Sequence, residues 1–565
     1  AGNTAMGWYS MFATTTGYAN VAVGLSALGA QTTGHENVAL GHQALDALTS
    51  GSLNTAVGRA AGGAMTTGVQ NTLLGSFAGD ALTDSDFNVA VGYNALTSDT
   101  LGSYSTAIGR NALYSQNFTS ATASHNTALG YAAGEGITTG TNNTLLGSGA
   151  GDAITTGGDN VSVGFSSLSS TTTATNNVAV GTYALNGNTT GGSNVSMGYN
   201  ALGANTTASN NTAIGTSALT LNTTGTNNVA VGMNAVDANT TGDQNTGIGQ
   251  GALSQNTTAD DNTAVGFASL NGNTTGTFNT AVGSRSLYVN TTGSGNTSVG
   301  EDSLAANTTA NDNSAFGQNA LKANTTGTQN VAVGAASLDA NTTASEGTAV
   351  GWNALSANTT GASNTAVGKA ALGANTTGAG NTAVGANAGD SLTTGFSNVA
   401  LGRLSLSAED TGRKNVAVGF AALEAQNSDV DNFNTAIGFY AGAAVTTGVS
   451  NTLIGGLAGD AITTGASNVA LGSNASGSIT SGSHNIGIGS AALVDTVALT
   501  TGSQNIAIGN FSRTTAVDST YATVIGYNLA GAAGYTTLGR DASDIRATHG
   551  NVTWATVSDE RYKKD

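Results

Sequence analysis

A glycine returns every seventeen residues along almost the whole 565-residue chain, and this spacing constrains the fold more than any other feature. It stands at Gly7, Gly24, Gly41, Gly58, Gly75, Gly92 and Gly109, then at Gly130 and every 17 residues to Gly419. It continues at Gly438, Gly455, Gly472, Gly489, Gly509, Gly526 and Gly539. Of the 31 spacings, 27 equal 17; the others are 21, 19, 20 and 13. A fixed period of this size marks an architecture in which each unit stacks on its neighbours. Length then counts coils rather than domains.

Each glycine closes a motif, Asn-(Thr/Val)-Ala-(Val/Ile/Leu)-Gly. Numbered from its Asn, the coil has Thr or Val at position 2, usually Ala at position 3 and an apolar residue at position 4 in all 32 coils, from Met6 to Leu538. Apolar alternation closed by Gly predicts a short β-strand, with positions 2 and 4 expected to face inward. Position 9 is usually Leu, as at Leu28, Leu185 and Leu355, and position 12 usually Asn, within Asn-Thr-Thr. No 3.6-residue apolar stripe exists, so a helix is not expected.

Position 9 is Gly in seven coils: Gly62, Gly79, Gly134, Gly151, Gly389, Gly442 and Gly459. In each, position 12 turns apolar: Met65, Leu82, Ile137, Ile154, Leu392, Val445 and Ile462. Volume lost at one place and regained three residues later predicts that both positions point into one narrow core. Asp follows the Gly in four of these coils, at Asp80, Asp152, Asp390 and Asp460, and reads as a turn cap.

The composition agrees. The chain has 82 Gly, no Pro and no Cys, with 8% charged residues. Gly supplies backbone turns with positive φ, and Pro would delete a ladder hydrogen bond in a strand paired on both sides. Collagen, a disulfide scaffold and a charged disordered chain are excluded, and no run of about 18 apolar residues exists to span a membrane. Seventeen residues give a perimeter of about 56 Å, and 31 steps of about 4.8 Å give a rod of roughly 150 Å. One coil is too thin to bury much, so an oligomer of parallel, in-register chains is expected.

The Asn-(Thr/Val)-Ala-(Val/Ile)-Gly-x-x-Ala-Leu coil resembles the head repeats of trimeric autotransporter adhesins over about residues 1 to 530. That resemblance implies an all-β, left-handed parallel β-solenoid (β-roll) of about 31 coils packed as a homotrimeric fibre. Residues 550 to 565, which contain Ser558-Asp559-Glu-Arg-Tyr-Lys563, resemble the junction before an endosialidase-type intramolecular chaperone of phage tail fibres and tailspikes. The resemblance implies Ser558 and Lys563 as a self-cleaving pair; a neutral Lys can deprotonate a hydroxyl nucleophile. A Ser558→Ala precursor is then expected to keep its chaperone. The expected organisation is a shaft over 1–525, a transition segment over 526–557 and a junction stub over 558–565. A chaperone has a physical purpose here. Twelve consecutive coils carry Asn-Thr-Thr, from Asn188 to Asn375, and a slide of 17 residues would preserve most contacts.

Position 6 is the most variable. It carries Arg59, Arg110, Glu301, Lys369 and Arg403, and the rings Trp8, Tyr93, Tyr131, Phe165, Tyr199, Phe267, Trp352, Phe420, Phe439 and Tyr527. A position that accepts charge is expected to face solvent. The rings then form a contact stripe for a glycan or receptor, or pack in grooves between subunits. The Asn-Thr-Thr triplets match glycosylation sequons but read better as stacked structural turns. The acid pairs (Asp84 and Asp86, Asp260 and Asp261, Asp429 and Asp431) read as solvated loop acids, although paired carboxylates can serve glycoside hydrolysis. The five His residues lack metal-ligand spacing, so no metal and no cofactor is expected. A net charge of −18 with 14 basic residues argues against nucleic acid.

These features predict a structural fibre shaft of a viral (phage) tail, without enzymatic turnover beyond any self-cleavage. Its partners would be two further copies, a host surface glycan or receptor and an upstream virion or tail protein. It would lie outside the cell, on the virion tail, and would not insert into a membrane. The alternatives are a bacterial cell-surface trimeric adhesin and, from another class, a glycan-degrading tailspike.

Overall fold

The computed structural model describes residues 2–494, 500–540, 543–550 and 555–557. It comprises two units, residues 1–279 and 280–565. Each is a parallel β-solenoid with a 17-residue coil, and no helix occurs among the described residues.

In the first unit, sixteen three-residue strands run from Thr4–Met6 to Thr263–Val265. Each lies parallel to the next in the register that the period requires: Thr4 faces Val21, Ala5 faces Ala22 and Met6 faces Val23. The 21-residue coil keeps this register, with Thr106 opposite Thr127. Beyond the ladder, its Thr122–Ala123 pairs separately with Gly102–Ser103 of the preceding coil.

The second unit repeats the pattern from Thr280–Val282 to Ile506–Ile508. The strand register is also kept across the 19- and 20-residue coils, with Val416 opposite Thr435 and Ile486 opposite Ile506. The stack then changes character. Thr523–Tyr527 pairs in parallel with Tyr535–Arg540, which pairs antiparallel with Ser543–Thr548 and that in turn with Ala555–Val557. An antiparallel hairpin thus covers the edge that a parallel coil would otherwise present, where bare N–H and C=O groups invite unwanted pairing.

The strand faces are the reverse of the sequence expectation. Position 3 points inward: Ala22, Ala213 and Ala366 are fully buried. Positions 2 and 4 point outward, so that Met197 is 41% and Leu471 44% exposed. The cause is the width of the coil. Positions 1, 3, 8, 9, 12 and 15 all turn into it, and once Leu at position 9 is inside, only a small side chain fits opposite at position 3. The expectation for positions 9 and 12 holds: Leu28 and Gln31, Leu185 and Asn188, and Met65 and Leu82 are all fully buried.

The interior is polar as well as apolar. The position-1 Asn residues form a ladder in which a rung such as Asn37 is bonded three times. The Asn37 backbone N–H donates to Asn20 Oδ1 at 2.9 Å; its Nδ2 donates to the same oxygen at 3.2 Å and to the Gly51 carbonyl at 2.9 Å. A second ladder runs through position 12 within each unit. Asn222 Nδ2 donates to Asn205 Oδ1 at 3.0 Å and to the Gly225 carbonyl at 2.9 Å; Asn324 does the same toward Asn307 and Gly327. Most buried amides placed this way are satisfied, Asn415 Nδ2 and Asn375 Oδ1 being exceptions, and each neighbour's dipole strengthens the next. The twelve sequon asparagines therefore lie inside the coil, where a folded chain cannot offer them to a glycan.

Candidate functional site

The outer surface is built by the turns that close each strand. After the position-5 Gly the chain bends through left-handed residues at positions 7 and 9, such as Ser26 (φ 57°) and Leu28 (φ 51°), and again at position 17, as at Glu36 (φ 56°). Gly was expected to make these turns, yet Leu, Asn, Ser and Ala make most of them. The strain of a left-handed residue with a Cβ is of order 1–2 kcal/mol. Here the inter-coil ladder offsets it. Each bend throws positions 6 and 7 outward, so coil after coil places its position-6 side chain above the last.

The structure places Trp8, Tyr93, Tyr131, Phe165, Tyr199, Phe267 and Trp352 exposed in this column, with Phe420 half-buried. Several have partners one coil away. The Arg110 guanidinium lies 5.5 Å from the Tyr131 centroid, Lys369 Nζ 5.4 Å from Trp352 and Arg403 5.7 Å from Phe420. Phe420 also stacks on Phe439 at 5.6 Å. Such cation–ring pairs are worth about 0.5–1 kcal/mol at exposed sites.

Position 7 supplies rings that sequence reasoning passed over. Tyr183 bridges Phe165 and Tyr199 at 5.6 and 6.2 Å, and Phe77 sits between Arg59 and Tyr93 at 5.1 and 6.2 Å. Tyr9 joins Trp8 to Phe12. A second ring column stands at position 17, where Phe87 stacks on Tyr104 at 4.9 Å and Tyr104 on His125 at 5.2 Å. The signal for both columns is the same 17-residue period, which repeats rings at positions 7 and 17 as it does at position 6.

The acidic residues take structural places. Asp86 Oδ1 accepts from the Val69 N–H at 2.8 Å, and Asp260 Oδ1 from the Asp243 N–H at 2.7 Å, each bridging two coils. Asp429 accepts from Thr411 Oγ1 at 2.6 Å, and Asp431 pairs with Lys414 at 2.6 Å. Seven aspartates stand at position 10: Asp46, Asp80, Asp152, Asp237, Asp339, Asp390 and Asp460. Partial burial raises each carboxyl above its ordinary range, and backbone N–H groups at the same turn oppose the shift. The turn-cap reading of the Ala-Gly-Asp motif fits these contacts. Among the described residues no group of three His, Cys, Asp or Glu could hold a metal ion. No helix of the described residues is long and apolar enough to cross a membrane. Ser558, Asp559 and Lys563 lie outside the described residues.

Among the described residues two acids are fully interior, and both accompany an insertion. Asp99 takes position 12 before the 21-residue coil and Glu409 takes it before the 19-residue coil. Asp99 accepts from the N–H groups of Gly102 (3.0 Å) and Phe118 (3.1 Å) and from Gln116 Nε2 (2.6 Å). Glu409 accepts from the N–H groups of Gly412 (2.8 Å) and Ser428 (3.3 Å) and from Asn432 Nδ2 (2.9 Å). In both places a carboxylate gathers the amides freed where the ladder opens to admit the extra residues.

Compared with known proteins, the chain matches no family model, no curated protein and no solved structure.

Proposed function

We propose that this chain is the shaft of a homotrimeric fibre, part of a viral tail, which contributes to host-surface attachment by reach and by many weak contacts. One observation carries the reading: the outward strand face. Position 4 is Val, Ile, Leu, Met or Phe in all 32 coils, and position 2 is Thr, Val, Ser or Ile. No charge interrupts this face, although it points away from the coil interior, with Ile214 38% and Val384 40% exposed. A long uncharged apolar strip on a chain of net charge −18 is an interaction surface. Only a partner with the same coil rise can match it along its length, and a second and third copy have that rise. The repeat's resemblance to adhesin heads and the Ser558–Lys563 junction motif supply the trimer and the viral tail.

Sedimentation equilibrium tests the assembly. The chain should sediment at three times its own mass, and Val231→Lys with Val384→Lys should reduce it to the monomer. A native monomer, or a trimer indifferent to both lysines, would sink the reading. The repeat supports a bacterial surface adhesin equally; the coding sequence beyond Asp565 separates the two, since a chaperone domain belongs to the fibre and a membrane anchor to the adhesin.

A further inference from the structure

We infer that the outer ridge formed by Arg59, Phe77, Tyr93, Arg110 and Tyr131 is a binding site for an acidic polysaccharide. The inference rests on the attachment reading above and names its ligand class.

The five side chains come from positions 6 and 7 of neighbouring coils in the first unit. Arg59 lies 5.1 Å from the Phe77 centroid, Phe77 meets Tyr93 edge-on at 6.2 Å, and Arg110 lies 5.5 Å from Tyr131. Arg59, Tyr93, Arg110 and Tyr131 are exposed. Between the two arginines run three coil steps, about 14 Å. Phe77 and Tyr93 therefore lie on the two coils between the guanidinium groups, and Tyr131 on the coil beyond Arg110, so that rings and charges alternate along the ridge.

Charge selects the acid. On one bend of the second unit the cations are neutralised, Arg285 and Lys322 both pairing with Asp302 at 2.9 and 3.1 Å, whereas Lys369 and Arg403 each face a single ring. Arg59 and Arg110 have no carboxylate within ion-pair distance among the described residues. Positions 6 and 7 of these coils hold His42, Gln43, Ala60, Ser76, Asn94, Asn111 and Ala132 besides the ridge, and no acid. The acids of the adjoining position-10 column are engaged within the chain: Asp80 accepts from Thr97 Oγ1, and Glu135 from Asn111 Nδ2 at 3.0 Å. Two unneutralised guanidinium groups on so acidic a chain repel little and attract a carboxylate, which each can hold by a two-pronged hydrogen bond. The rings offer apolar platforms for the sugar faces. A neutral glycan would leave both forks unused, and a second copy of this acidic chain would have to bring a carboxylate to each.

Affinity electrophoresis of the full chain tests this, in gels containing polygalacturonate or its fully methyl-esterified form. Polygalacturonate should retard the chain and the ester should not. Arg59→Gln with Arg110→Gln should weaken the retardation about tenfold or more, since each charge-assisted contact is strong. Arg285→Gln with Lys322→Gln should leave it unchanged, and added salt should weaken it. No retardation, equal retardation by the ester, or equal loss in the control variant would overturn the inference. So would a change in sedimenting mass for the Arg59/Arg110 variant, which would assign the ridge to a subunit contact. A chain that sediments as a trimer yet ignores polygalacturonate overturns this inference alone. A monomer that polygalacturonate still retards overturns the trimer alone.

Discussion

At the scale of single residues, two positions explain why this sequence tolerates so little change. The position-5 Gly holds φ near 130°, outside the range of L side chains, and its Cβ direction points at the next coil: a Cβ on Gly215 would stand 2.6 Å from the Gly232 carbonyl oxygen. Gly215→Ala is therefore expected to cost about 3 kcal/mol or more, read as a lowered midpoint in chemical denaturation. Position 9 behaves differently. Leu occupies it with φ near 51° in most coils, so backbone conformation does not demand the Gly variants. In six of the seven what demands them is Leu at position 3; Gly389 instead faces Leu372 and Leu392. A Cβ on Gly62 would lie 2.7 Å from Leu73, and one on Gly79 2.9 Å. Leu145 and Leu453 fill the same role beside Gly134 and Gly151, and beside Gly442 and Gly459. The volume exchange legible between positions 9 and 12 is thus a three-way exchange that crosses coils. Leu73→Ala should cost about 2–5 kcal/mol by leaving a cavity. Adding Gly62→Leu should recover part of that loss, although Gly62→Leu alone destabilises. A double-mutant cycle measures the coupling, and additivity would refute the exchange.

At the scale of the coil, the insertions show how a strict ladder accepts extra residues. The buried carboxylates of Asp99 and Glu409 collect the amides that the ladder abandons. Replacing either by Ala leaves several donors buried without acceptors, and a loss of roughly 1–3 kcal/mol is expected in thermal or chemical unfolding. Burial raises the Glu409 carboxyl above its ordinary range, against the lowering effect of its backbone donors. The folded chain then binds this proton more tightly than the unfolded chain does. Stability should rise as pH falls through the raised value and level off below the ordinary carboxylate range, near about 4. The seven position-10 aspartates shift in the same direction and add to the trend. Melting temperature followed from about pH 7 toward about pH 4 should climb, and Glu409→Gln should flatten part of the climb. A monotonic fall over that range would contradict the assignment. Neither acid was picked out in the sequence, although both stand at the twelfth position of the coil before an insertion. The signal was there, but its meaning depends on where the extra residues leave the ladder.

At the scale of the molecule, each unit has a thin interior in which apolar side chains alternate with runs of amide ladder, and an uncharged strand face outside. Much of this was legible beforehand. The period gives the coil and its register, because a one-residue slip would move every inward side chain outward. The seven Gly variants point to positions 9 and 12 as core. The position-6 column follows from its tolerance of charge. Its companions at positions 7 and 17 were visible in the same period and passed over. Those rings gain meaning only when one coil is laid on the next, since Phe77 and Tyr93 are sixteen residues apart in the chain and neighbours in space.

The sequence by itself determined the 17-residue coil and the parallel pairing. Both follow from local chemistry repeated at a fixed spacing. It did not determine which face of the three-residue strand lies inside. Alternation with period 2 reads the same from either side, and Val and Thr suit both a core and a surface. Only stacking decided it. With Leu at position 9 and two Asn ladders already inside, the narrow coil had room for Ala at position 3 and none for Val at positions 2 and 4. That tertiary choice moved the apolar strip to the outside, where the proposed assembly of the fibre begins.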